Sequence, residues 1–328
     1  MSSNCQIRSV PPGEGEQAFR AGPPSQGQAL PLLLSSDSQT NASQHLSRAP
    51  GLTRISSGVY VPTERWAQAT HQDRHLARIR AAQEVCGGDL VLMGASAALW
   101  QGIGVVGPIP DQVQCVGERG DRRGTSGLRR HERAGLGDLI EVGGILTTSA
   151  ADTAVDLARC GGLVQGVCAM DSALAQGRVT GEAIEDAVER LGRGARGVRC
   201  ARTAAHLADG RSESPGESLS RVRMWQAGLP RPELQYEVCI DGRIYRFDFF
   251  WARPRVDGEF DGRKKYRRES FGKNAEQTVW EERQRERAII RAGIEVSRWT
   301  WDQAWRHEGA AMIEELARCG VHPTGQRW

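Results

Sequence analysis

The chain has 328 residues, 39% of them hydrophobic and 25% charged, and carries a net charge of +3. Its length allows two or three domains rather than one core, its composition is that of a soluble globular protein, and so small a net charge excludes whole-chain electrostatics as an argument for a nucleic-acid partner. Any such argument must rest on local charge. Residues 1–45 are rich in Ser, Gln, Gly and Pro and are expected to form a weakly ordered tail, because they have too little apolar surface to offset ordering entropy. Within it, Ser35–Ser47 is a candidate short helix capped by Asp37 or Thr40. The apolar run Ala29–Leu34 is too short for a secretory core, and no later stretch is long enough to span a bilayer, so a cytoplasmic protein without a membrane partner is expected. The eight cysteines show no Cys-X-X-Cys pair and no histidine at zinc spacing, which predicts reduced thiols.

Leu52–Pro62 reads as a strand, a tight turn at Ser57-Gly58 and a second strand, with Trp66 as an anchor. Its Gly58-Val-Tyr-Val-Pro62 run resembles the end of the winged-helix domain of AbiEi-type antitoxins, which implies a partial winged-helix hairpin over 46–66; a plain packing hairpin is the competing reading. A helical and α+β middle domain is expected over 67–205. Its spacing predicts a helix over Thr70–Cys86 stopped by Gly87-Gly88, a short strand at Leu90–Met93, and a helix from Ser96 closed by Gly102. Gln112–Val116 and Leu128–His131 read as the strands of a basic hairpin whose loop and edges hold Arg119, Arg122, Arg123, Arg129, Arg130 and Arg133. Arg122 and Arg123 are candidate DNA-phosphate contacts, against a solvated loop partly balanced by Glu118 and Asp121. Helices follow over Ala151–Arg159 and Leu163–Ala175, and a third after Thr180. Asp152, Asp156 and Asp171 are assigned to capping and solvated faces rather than to metal. Asp156-Leu157-Ala158 after Thr148-Ser149 resembles the middle region of AbiEi-like proteins, which implies a cognate toxin protein as a possible partner.

The last domain is expected over 206–328. Ser214-Pro215-Gly216-Glu217 is a capping box opening a helix that Gly228 stops, so Glu217 has a structural role open to it as well as a chemical one. Ile244–Trp251 alternates as a strand, with Tyr245, Phe247, Phe249 and Trp251 on one face and Asp248 on the other. Arg253-Pro254-Arg255 reads as a turn into a second strand, where Glu259 and Asp261 share a face. Converging carboxylates repel one another and call for a cation, and oxygen ligands suit Mg²⁺ or Mn²⁺. Arg263, Lys264, Lys265, Arg267 and Arg268 follow immediately, and acids for a metal beside cations for phosphate suit phosphodiester hydrolysis. Ion pairing of the acids with Arg246, Arg255 or Lys265 is the competing reading. A charged helix over Val279–Ala292, a strand over Ile294–Trp301 and a last helix over Ala304–Arg318, capped by Asp302, complete an α/β core. Tyr266, Trp299, Trp301 and Trp305 are either core residues or stacking surfaces for unpaired bases.

This third of the chain resembles the PD-(D/E)XK nucleases, in particular the branch related to very-short-patch-repair endonucleases. The likeness rests on Glu217 in a helix, Asp248-Phe249, Glu259-Phe260-Asp261-Gly262 with Lys265, the helix near Glu282 and Arg285, and the strand Ile294–Trp301. It departs from the family where Asp261 stands at the position of the usual lysine and Lys265 where this branch often has histidine. The resemblance implies a restriction-endonuclease-like mixed sheet flanked by helices. Glu217, Asp248, Glu259 and Asp261 would hold the metal, Lys265 would act on water or phosphate, and Arg263, Lys264, Arg267 and Arg268 would lie on DNA. A metal-dependent DNA endonuclease in a defence or toxin-antitoxin setting follows. The alternative is an antitoxin-like DNA-binding regulator with a degenerate nuclease fold.

Overall fold

The computed structural model describes residues 29–35, 49–117, 127–133, 135–262, 275–325 and 327–328, with the backbone alone for 275–279. The protein is mixed α and β, and its described residues divide into two compact units between Gly210 and Arg211. No helix among them is long and apolar enough to cross a membrane.

In the first unit β1 (Leu33–Leu34), β2 (Leu52–Ser56) and β3 (Val59–Pro62) form an antiparallel sheet in the order β1-β3-β2. β1 lies inside the stretch expected to be a tail; its leucines pair with Val59 and Tyr60. The candidate helix at Ser35–Ser47 falls almost wholly outside the described residues. After α1 (Thr63–Gln68), α2 (His71–Cys86) begins at Thr70, whose hydroxyl accepts from the Asp73 N–H while Asp73 accepts from the Thr70 N–H. Gly87 ends it in the left-handed conformation that glycine adopts without strain.

α3 (Gly94–Gln101) follows β4 (Val91–Leu92), with β5 (Val113–Val116), β6 (Leu128–His131), β7 (Leu139–Val142) and β8 (Ile145–Thr148) completing a five-stranded sheet ordered β6-β5-β4-β8-β7. Leu76, Ile79, Leu92, Leu99 and Val113 form its core. β5 and β6 pair in parallel, which corrects the expected hairpin: parallel neighbours need a connection that returns the chain to its starting end. The loop arginines Arg122 and Arg123 lie outside the described residues.

Four helices close the unit: α4 (Ala150–Gly161), α5 (Leu163–Ala175), α6 (Gly181–Arg190) and α7 (Val198–Leu207). Asp152 and Asp156 on α4 are buried rather than solvated. Arg133 reaches Asp152 at 2.9 Å and both oxygens of Asp156 at 2.9 Å, Arg159 reaches Asp156 at 2.8 Å, and Arg190 reaches Asp152 at 3.2 Å. Arg133 is therefore the hub of a buried ion-pair knot and not a surface phosphate contact. Buried charges persist when each is paired and hydrogen-bonded, as here.

The second unit starts at α8 (Pro215–Gln226), where the Ser214 hydroxyl accepts from the Glu217 N–H; the Glu217 carboxylate returns to the Glu213 N–H rather than to that of Ser214, so the expected capping box forms by half. β9 (Glu233–Ile240), β10 (Arg243–Trp251), β11 (Val256–Asp261) and β12 (Glu295–Thr300) form a sheet ordered β12-β11-β10-β9. The three sequential strands are antiparallel, and β12 joins β11 in parallel after α9 (Ala275–Arg291). The chain thus runs helix, three strands, helix, strand.

The expected single aromatic row of β10 is split at Asp248. Tyr245, Phe247 and Phe250 pack with Ala288 and Ile289 of α9, whereas Phe249 packs with Trp251 and Trp299. Opposite this change, Gln235 of β9 takes φ of +50° and the ladder pairs 247 with 236 and 249 with 234. The expected last helix is two: α10 (Trp301–Trp305), opened by Thr300 and Gln303 rather than Asp302, and α11 (Ala310–Arg318). His307 and Glu308 at positive φ separate them.

Candidate functional site

The second unit brings the predicted acids to one region of its sheet from three elements. Glu217 comes from the first turn of α8, Asp248 from the middle of β10, and Glu259 and Asp261 from the end of β11. Extending the register that pairs Phe249 with Gly258 places Asp248 across from Glu259. Asp248 accepts from the Phe260 N–H at 3.0 Å, which ties the two strands beside the acids.

Glu217 is engaged on two sides. Its carboxylate accepts from the Ser214 hydroxyl at 2.7 Å, the Glu213 N–H at 2.9 Å and the Gln235 amide at 2.9 Å, so it serves the helix start. It also faces Asp248: burial, then repulsion by Asp248, pushes its pKa up to about 7 despite the hydrogen bonds from Glu213 and Ser214.

Glu259 is clamped. Arg285 of α9 approaches it at 2.6 Å and Arg298 of β12 at 2.9 Å, one guanidinium on each carboxylate oxygen. Burial alone would raise its pKa, but the two arginines outweigh it and hold the carboxyl below its ordinary value. Arg298 also reaches Glu282 at 2.6 Å and Glu286 at 3.2 Å, which makes it the centre of a charge network joining β11, β12 and α9. The partners expected for the acids lie elsewhere: Arg246 pairs with Glu213, and Arg255 bonds the carbonyls of Ala292 and Gly293. Arg285 and Arg298 win because α9 and the parallel strand β12 flank β11, and in the β12 register Arg298 stands beside Glu259.

Asp257 is the acid that sequence reading passed over. It is fully buried, neither carboxyl oxygen meets a hydrogen-bond partner, and burial with repulsion from Glu259 and Asp248 pushes its pKa up to about 9 against the pull of Arg285. Its signal was present in the chain: Asp257 is two residues before Glu259 and therefore on the same face.

Over 212 residues the chain is 35% identical to two proteins of Mycobacterium tuberculosis, the uncharacterized protein MT2308 of strain CDC 1551 / Oshkosh and the uncharacterized protein Rv2248 of strain ATCC 25618 / H37Rv. Each match covers 64% of this chain and 74% of the relative. The chain belongs to the family of these mycobacterial proteins. No family model matches it, and no solved structure does.

In this member of the mycobacterial family two of the acids expected to hold a divalent cation are engaged by other protein groups. Among the described residues no group of three or more His, Cys, Asp or Glu side chains is placed to hold one. The donor set explains why: the oxygens of Glu259 are spent on two guanidinium groups and those of Glu217 on three hydrogen bonds. Asp261, at the end of β11 beside Thr300, is partly exposed. Lys265, Arg263, Lys264, Arg267 and Arg268 lie outside the described residues.

Proposed function

We propose that the protein is a DNA-binding regulator of the antitoxin-like kind, whose second unit keeps a restriction-endonuclease-like architecture with its Glu259 locked by two arginines. The nuclease likeness is supported by the order helix, three strands, helix, strand, with Glu217, Asp248 and Glu259 on the first helix and the second and third strands. The observation that carries the regulatory reading is the double clamp on Glu259. A dication binding there must displace two guanidinium groups that are themselves partly desolvated and shared with Glu282 and Glu286, so the acids act on structure rather than on water. Five cations within 263–268 supply local charge for phosphate, and their contacts would make affinity fall steeply with salt.

Metal-dependent hydrolysis of DNA with Mg²⁺ or Mn²⁺ is the second reading. It is favoured by the raised pKa values of Glu217 and Asp257, which mark an excess of negative charge that a cation would relieve. Titration calorimetry with Mg²⁺ and Mn²⁺, gel retardation of duplex DNA and plasmid nicking in the same buffers separate the two. The regulator retards DNA in a salt-dependent way, gives no metal heat and leaves the plasmid intact. Metal heat and nicking that both vanish in Asp248→Ala and Glu259→Ala would establish the hydrolase instead, and a folded protein that retards no DNA would remove the regulator.

A further inference from the structure

β12 ends at Thr300, opposite Asp261 of β11, and the chain turns directly into α10. Trp301 and Trp305 are four residues apart there and so share a helix face. Their rings stack at 5.7 Å with planes 17° apart, and Phe260 meets Trp301 edge-on at 6.2 Å. Trp299, two residues earlier, is 1% exposed and donates its indole N–H to Ser220, whereas Trp301 and Trp305 are each 37% exposed. These two adjacent indoles, each 37% exposed, forgo part of the burial that a core position would supply.

The stack is continuous with the acid cluster through Phe260. That residue donates its N–H to Asp248, and its ring lies against Gly216, next to Glu217. Glu259 is held by Arg285 and Arg298, and Arg306, directly after Trp305, pairs with Asp302 at 3.6 Å. The flat, parallel indoles of Trp301 and Trp305 match the faces of unpaired nucleobases, each of which has a π-face to stack whatever its sequence. A paired duplex offers no such face along its length.

We infer that Phe260, Trp301 and Trp305 form a stacking platform for unpaired bases of single-stranded nucleic acid. This rests on the DNA-binding reading above and specifies its substrate: strands with exposed bases bind more tightly than duplex of the same length.

Fluorescence anisotropy on the full chain, with labelled oligo(dT) and a duplex hairpin at one salt concentration, tests it. Wild type binds oligo(dT) more tightly, with quenching of tryptophan emission. Trp301→Ala and Trp305→Ala each weaken oligo(dT) binding about tenfold, as loss of one base–aromatic stack does, and leave duplex binding unchanged. Trp305→Phe, which keeps an aromatic face, restores most of the loss, and Trp280→Ala, an exposed tryptophan on α9, has no effect; circular dichroism checks the fold of each variant. Unchanged oligo(dT) binding in both alanine variants, with duplex still bound, overturns the platform and leaves the DNA reading standing. Binding of neither nucleic acid overturns both. Self-association of the wild type that Trp305→Ala abolishes also overturns the platform and makes this face a contact between copies.

Discussion

Asp257 is where chemistry and stability are most tightly joined. A carboxyl whose pKa is pushed from its ordinary 3.8 up to about 9 in the folded state binds its proton more tightly there than in the unfolded chain. Its contribution is therefore fully present below the ordinary value and is lost as pH rises toward about 9. Glu217 acts with the same sign between its ordinary 4.5 and about 7. Glu259, held low by its arginines, has the opposite sign and loses its contribution as pH falls through and below the ordinary carboxylate range. We expect the urea midpoint of the wild type to fall between neutrality and pH about 9, and Asp257→Asn, which cannot ionise, to flatten that fall. Equal slopes for the two proteins in that range would show that Asp257 is ionised in the fold. The clamp on Glu259 was only half legible in the chain: an arginine partner was foreseeable, but which arginine depends on a parallel strand 39 residues away.

At the scale of elements, α8 meets β11 with no space to spare. Gly216 faces the Phe260 ring so closely that an added Cβ would collide with it. Gly216→Ala therefore must move Phe260 or the start of α8, and overpacking of this kind costs about 1–3 kcal/mol. Chemical denaturation measures that loss, and because Phe260 bonds Asp248, the pH dependence assigned to Glu217 should shift with it. Elements with local signals were readable: the hairpin at Leu52–Pro62, the Ser214 cap of α8 and the turn after Trp251 appear where spacing places them. β9 carried a signal that was passed over, since Leu234, Tyr236, Val238 and Ile240 alternate in the manner of a half-buried strand. The parallel pairing of β5 with β6 had none, because two short strands look alike in either direction.

For the whole molecule, the second unit closes its sheet and flanking helices entirely within residues 211–328. A fragment of those residues should fold alone, with a cooperative thermal transition and dispersed amide resonances. A fragment that stays unfolded under conditions where the intact chain is folded would mean that the division into units is not one of stability. The mixed α and β architecture, the helix caps, the β10–β11 hairpin and the acid-rich end of β11 were determined by the sequence itself, because periodicity, caps and turns act over a few residues. Tertiary structure decided the rest. It buried Asp152 and Asp156 around Arg133, closed Arg285 and Arg298 on Glu259, left Asp257 without a hydrogen-bond partner, and sent Trp299 inward while Trp301 and Trp305 stayed partly exposed. Each of those outcomes depends on groups far apart in the chain, whose charges and surfaces meet only when the sheet order and helix positions are set.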